Sequence, residues 1–124
     1  MKNKINTYYS WETFFADFKR IVKTYSGFGK QIKSVYPVSK GAHILAVLLS
    51  YHLGVQLIFD KTKINKGTLV VTDVSNTGNT LKTLLGDKKY FATISLFGRN
   101  PFVTHIVNIH KREERILFPW DIKK

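Results

Sequence analysis

The sequence predicts a single-domain α/β fold: a mostly parallel, twisted sheet with helices on both faces. Three observations predict it. The strand-like segments, residues 68–72 above all, are nearly continuous apolar runs without the alternation of a half-solvated sheet. Segments of helical period alternate with them along the chain. A length of 124 residues suffices to bury one core and is too short for a separate cap domain.

The elements follow in order. Trp11, Phe14, Phe15, Phe18, Ile21, Val22 and Tyr25 recur at three- and four-residue steps behind Ser10, which predicts a helix over 10–25 with Ser10 as N-cap and the aromatic stripe in the core. Residues 34–38 read as a short strand in which Pro37 removes one ladder donor. The turn 39–42 leads to a helix over 43–53, with Gly54 as its C-terminal stop, and then to a strand over 55–59. A basic connection, 60–66, precedes the strand 68–72, and a short helix over 80–85 ends at Gly86. Strands are expected over 91–97 and 104–109, separated by a turn at 98–101. Residues 111–115 mix charge signs and read as a solvated turn apart from Arg115; 116–121 form an apolar tail in which Pro119 stops a helix or central strand.

Composition narrows the function classes. Twenty Lys and Arg against eight Asp and Glu give a net charge of +12, which favours polyanionic partners, either nucleic acid or a small ligand carrying several phosphates. The basic residues are scattered (Lys19, Lys33, Lys61, Lys82, Lys111), and the aromatics do not interleave with Arg in a nucleic-acid-binding pattern. No cysteine is present, so disulfides and thiolate metal sites are excluded. The longest apolar run, 44–49, cannot span a bilayer, and Lys2 and Lys4 precede no apolar signal core, so a cytoplasmic protein without membrane partners is expected. His43, His52, His105 and His110 show no metal-ligand spacing, and Ser50 and Ser95 lack a triad pattern.

The stretch from Thr68 to Thr80 carries the most chemistry: an apolar strand ends in Asp73, a turn of small polar residues follows, and a helix begins. Main-chain N–H groups of such a turn, with the hydroxyls of Ser75, Thr77 and Thr80, can cradle an anion. Asp73 sits where open α/β sheets hold ligands. An ordinary strand–turn–helix connection, with Gly78 supplying a positive φ, reads equally well from these residues alone.

A second strand–turn–helix, Ser39-Lys40-Gly41-Ala42, pairs with it. With Tyr9-Ser-Trp-Glu, Pro37-Val-Ser-Lys-Gly, Phe91-Ala-Thr-Ile and Phe118-Pro-Trp-Asp121 in this order, most of the chain resembles the type I phosphoribosyltransferases, in particular the bacterial xanthine-guanine enzymes. The resemblance implies a phosphoribosyltransferase-like fold, with a core for phosphoribosyl pyrophosphate over 34–97 and a base-site segment over 98–121. It puts the 5′-phosphate at Ser75, Asn76, Thr77, Gly78, Asn79 and Thr80, and the pyrophosphate at Ser39, Lys40 and Gly41. Asp73 would face the ribose hydroxyls and a magnesium ion, and Lys40 would stabilise departing pyrophosphate. Phe97, Arg115 and Ile116 fall on base-binding positions, Ile116 through its carbonyl. The implied partners are phosphoribosyl pyrophosphate and a purine-like base, the implied product a nucleoside monophosphate, and the implied assembly a homo-oligomer in purine salvage.

The departures from that family fall on particular residues. Thr72 stands at the first acidic position, Asn76 at that of an Asp that meets the imidazole side of a purine, Phe97 at that of a Lys, and Arg115 at that of a stacking aromatic. An amide can hydrogen-bond but cannot exchange a proton near neutrality. Residues 60–66 are also too few for the long loop that closes over the family's reacting centre. These departures sustain an alternative: a catalytically degenerate protein of this fold that binds nucleotide or nucleic acid.

Overall fold

A computed structural model describes residues 5–111 and 113–121; Lys2, Lys4 and Arg112 lie outside the described residues. The elements run β1 (Ile5–Tyr8), α1 (Trp11–Ser26), β2 (Ser34–Pro37), α2 (His43–Leu53), β3 (Gln56–Leu57), β4 (Thr68–Ser75), α3 (Asn79–Leu85), β5 (Ala92–Gly98), β6 (His105–Ile109) and β7 (Glu114–Leu117). Single 3₁₀ turns occupy Gly29–Gln31, Lys40–Ala42 and Lys61–Lys63.

Strands β2 to β6 form one parallel sheet in the order β3-β2-β4-β5-β6. The chain leaves β2 toward one edge and leaves β4 toward the other. Right-handed crossovers in opposite directions put α2 and α3 on opposite faces. One face packs Phe14, Phe18 and Ile21 of α1 and Leu45 and Leu49 of α2 on Val35, Leu69, Val71 and Ile94. The other packs Leu81 and Leu85 of α3 on Val70, with Ile58, Ile64 and Val103. The expected α/β architecture with helices on both faces is therefore present.

Local chemistry explains the boundaries. Ser10 caps α1, its Oγ accepting from the Thr13 N–H at 3.1 Å, and Gly54 ends α2 in the left-handed region at φ 68°. Strand β4 runs three residues beyond the expected 68–72, because Val74 and Ser75 still pair with Phe97 and Gly98 of β5. The strand expected over 55–59 contracts to Gln56–Leu57 at the sheet edge. Its exposed end, Phe59, stacks on the His43 ring, with centroids 5.5 Å apart.

The chain's ends correct the expectation of a solvated turn and an apolar tail. Glu114–Leu117 is a strand, paired in parallel with Ile5–Tyr8 as a two-stranded ribbon apart from the main sheet. A four-residue strand of mixed charge has no readable period, and its partner lies at the other end of the sequence. The ribbon is seated by aromatic contacts: Tyr9 meets Phe97 and Phe118 edge-on at 5.1 and 5.8 Å, and Trp120 stacks on Phe118 at 5.0 Å.

Candidate functional site

The order β3-β2-β4 makes the crevice beyond the carboxyl ends of β2 and β4 the switch point of the sheet, where open α/β sheets bind ligands. Both anion-type turns of the sequence emerge there. A cavity of about 320 Å³ lies between them, lined by Val38 and Ser39 on one side and by residues 72–81 on the other.

Asp73 organises the crevice. Its Oδ1 accepts from Ser39 Oγ at 3.0 Å and from the Val74 N–H at 2.8 Å, tying the first turn to the second. Its Oδ2 lies against Gly41, where a Cβ would overlap it. Among the described residues no three His, Cys, Asp or Glu stand together. Asp73 could thus hold a hard cation only as one carboxylate completed by oxygens of a ligand, the usual mode for magnesium. Lys40 is exposed at the mouth of the first turn, and His43 Nδ1 donates to Ser39 O at 2.8 Å, bracing that turn from α2.

The second turn is held open from behind. Gly78 takes φ 83°, and a Cβ there would stand 2.9 Å from Asn100 Oδ1. The buried Asn100 donates Nδ2 to both Ser75 O and Ser75 Oγ at 2.9 Å and accepts the Phe102 N–H at 3.0 Å. Thr77 Oγ1 accepts from the Asn79 N–H at 3.3 Å. The main-chain N–H groups of Thr77, Gly78 and Thr80 have no hydrogen-bond acceptor among the described residues and could donate to an anion.

Asn76 begins the turn and is tied to the far side of the site. Its Oδ1 is paired with His110 Nδ1, and His110 Nε2 donates to Glu114 O of β7 at 2.8 Å. Leu117 O accepts the Tyr9 N–H at 2.9 Å and so points toward β1. Carbonyls alternate along a strand, so those of Glu114 and Ile116 point to the opposite, unpaired edge of the ribbon, the edge that His110 touches.

The base-site expectations fare differently. Phe97 is 5% exposed, its ring packs against Tyr9 and Phe118, and it is not among the residues that line the turn cavity or the ribbon cleft. An apolar ring at this strand end gains more from the aromatic core than from a wet pocket. Arg115 and Ile116 line a separate cleft of about 990 Å³ on the ribbon, with Tyr8, Trp11 and Asp121. That cleft shares no residue with the turn cavity. Asn100 and the His110 bridge escaped sequence reasoning. The turn composition at 98–101 marked a loop there but not its target, and a lone His after a strand carries no signal of its partner.

No protein-family model matches the chain, and no curated protein matches it by sequence. Solved structures do. The chain is similar to a purine phosphoribosyltransferase from Pyrococcus horikoshii Ot3, at TM-score 0.74 and 22% identity over 96% of this chain and 95% of that one. It is also similar to the Helicobacter pylori xanthine-guanine-hypoxanthine phosphoribosyltransferase, at TM-score 0.73 and 21% identity over 94% of each. A third similar structure is a hypothetical protein from Neisseria gonorrhoeae with bound ppGpp, at TM-score 0.65 and 14% identity over 98% of this chain and 92% of that one. The fold is therefore that of the type I phosphoribosyltransferases, as the sequence motifs implied. No helix among the described residues is long and apolar enough to cross a membrane.

Proposed function

We propose that this protein transfers the phosphoribosyl group of phosphoribosyl pyrophosphate to a ring nitrogen of a purine-like base. The observation that carries this reading is the Ser39–Asp73 hydrogen bond, which joins two anion-type turns across the switch point of a phosphoribosyltransferase fold. In this reading the free N–H groups of Thr77, Gly78 and Thr80, with the hydroxyls around them, hold the 5′-phosphate. Asp73 orients the ribose, and Lys40 lies on the pyrophosphate side, where a cation is worth most as the leaving group gains charge. Ser39 and Gly41 let the diphosphate approach main chain. The Ile116 carbonyl, on the free edge of the ribbon, is an acceptor for a base. Asp73, with ligand oxygens, would hold magnesium, which would supply charge neutralisation of the diphosphate. The bond from the anomeric carbon to pyrophosphate breaks as the base nitrogen bonds to that carbon, and the proton that nitrogen carried passes to water or to the departing pyrophosphate, so no protein nucleophile is needed.

The test is pyrophosphate release from phosphoribosyl pyrophosphate and magnesium with a panel of purines and pyrimidines. Release with at least one base, lost in Asp73→Asn and lowered about 100-fold or more in kcat by Lys40→Ala, is expected. No release with any base, together with no calorimetric binding of phosphoribosyl pyrophosphate, would end this reading.

A second reading, nucleotide binding without transfer, is favoured by one specific observation. At the first acidic position of the motif stands Thr72, 4% exposed, its hydroxyl donating to Val74 O at 3.4 Å, so Asp73 has no second carboxylate beside it there. The ppGpp bound to the Neisseria gonorrhoeae neighbour makes that nucleotide the first to titrate. Tight ppGpp binding with no pyrophosphate release from any base would establish this reading over the first.

A further inference from the structure

The imidazole of His110 is buried, 8% exposed, between two parts of the molecule that no strand pairing connects. Nδ1 meets the side-chain amide of Asn76 in the second turn, and Nε2 meets the main-chain carbonyl of Glu114 in the ribbon. The His110 N–H donates to Gly98 O at 2.8 Å, fixing the residue to the end of β5. The ring thus stands on the main sheet and reaches both the anion turn and the free ribbon edge.

We infer that His110 is a positioning residue for Asn76: it holds the amide at the junction between the phosphate and base ends of the site and selects which end of that amide a ligand meets. This inference rests on the proposed phosphoribosyl site. A main-chain carbonyl only accepts, so Nε2 must carry a proton to bond Glu114 O. Nδ1 then settles the rest. With a single ring proton Nδ1 accepts, Asn76 turns Nδ2–H to it, and Oδ1 faces the cavity as an acceptor. With both nitrogens protonated Nδ1 donates to Oδ1, and Nδ2–H faces the cavity as a donor. Which end an asparagine presents is fixed by such partners and not by its shape.

The geometry also says which part of a ligand the pair serves. Asn76 precedes the free N–H groups of Thr77, Gly78 and Thr80, and its amide is drawn toward the ribbon, where Ile116 O shares the edge that His110 touches. A ligand with its phosphate on the turn and its base at the ribbon passes this amide. A ligand that ends at the ribose does not.

The test compares guanosine 5′-monophosphate with ribose 5-phosphate by calorimetry in the full chain. In His110→Phe, guanosine 5′-monophosphate should bind about tenfold more weakly, the loss of one well-placed hydrogen bond, while ribose 5-phosphate stays within about twofold. An asparagine amide reaches the place of Nδ1 and a glutamine amide that of Nε2, so His110→Asn should restore nucleotide binding and His110→Gln should not. The Asn76 side-chain amide signals in ¹H–¹⁵N spectra should be dispersed in the wild type and in His110→Asn and collapse toward free amide positions in His110→Phe. Equal weakening of both ligands, rescue by glutamine alone, or amide signals indifferent to His110→Phe would overturn the inference. If the wild type binds neither ligand, that result counts against the proposed site, whose own test is pyrophosphate release, and the amide signals still decide whether His110 holds Asn76.

Discussion

Gly41 lies directly against the carboxylate of Asp73: a Cβ at Gly41 would overlap Oδ2 and stand 3.0 Å from Cγ. The first turn therefore closes on the second only because residue 41 has no side chain. Gly41→Ala must push Asp73 away, and with it the Ser39 Oγ bond that joins the turns. On the proposed reading, magnesium-dependent binding of phosphoribosyl pyrophosphate should weaken at least about tenfold, with the melting temperature lowered by only a few degrees, since the crevice is at the sheet's end. Calorimetry and a thermal melt separate the two effects, and unchanged affinity would refute this account of the turn.

Asn100 braces the second turn through two bonds to Ser75 and one from Phe102. Asn100→Ala leaves the buried Ser75 carbonyl and hydroxyl without their donor, which should cost about 1–3 kcal/mol in a denaturant titration. Asn100→Asp keeps the shape but sets a carboxylate oxygen against Ser75 O, so it should not recover that stability. A wild-type midpoint for the aspartate variant would contradict the brace.

Tyr9 donates its hydroxyl to Asp17 Oδ2 at 2.6 Å in the core below the ribbon. Burial first, then the Asp17 hydrogen bond and charge, raise its pKa above the usual tyrosine range. A raised folded-state pKa means stability that is complete below the unfolded value near 10 and lost as pH climbs past it. Tyr9→Phe should flatten the alkaline loss of stability, and should cost about 1–3 kcal/mol at neutral pH because Asp17 loses a donor. Burial raises Tyr25 as well, so part of the alkaline slope should survive. Denaturant midpoints from pH 7 to 11 check both statements.

Glu114 carries the ribbon's acid sensitivity. Desolvation raises its pKa, but the hydrogen bonds from Thr7 and the Lys111 N–H and the charges of His110 and Lys111 outweigh that and hold it below the usual 4.5. A lowered folded-state pKa means a contribution present above 4.5 and lost as pH falls below it. Fluorescence of Trp11 and Trp120, which meet at 5.7 Å beside the ribbon, should shift below that pH. Glu114→Gln should show the acid form's loosened ribbon already at neutral pH; a native-like signal there would refute the assignment.

Much of the site was legible because its chemistry is local. Ser39-Lys40-Gly41 and the run from Asp73 to Thr80 each span one turn, so residue type and order mark two strand–turn–helix connections of the kind that can hold an anion without knowledge of the rest. The helix behind Ser10 and the stop at Gly54 were legible for the same reason, since caps act within a few residues. The direction of the Phe97 ring is not legible in the same way, because a place in a sequence motif does not say which way a side chain turns. Only the packing of Tyr9 and Phe118 decides that its ring turns into the core.

The sequence by itself determined the α/β alternation, the two turns, the basic balance of the chain and the departures at Thr72 and Asn76. Those are properties of composition and of residues near one another in the chain. The tertiary structure alone decided that Ser39 meets Asp73, that Asn100 stands behind Ser75, that β7 pairs with β1 and that His110 spans from Asn76 to Glu114. Each joins segments 25 or more residues apart or waits on a ribbon edge that forms only when the chain's two ends pair. Such contacts depend on the strand order β3-β2-β4-β5-β6, which core packing and crossover handedness select and which no local pattern encodes.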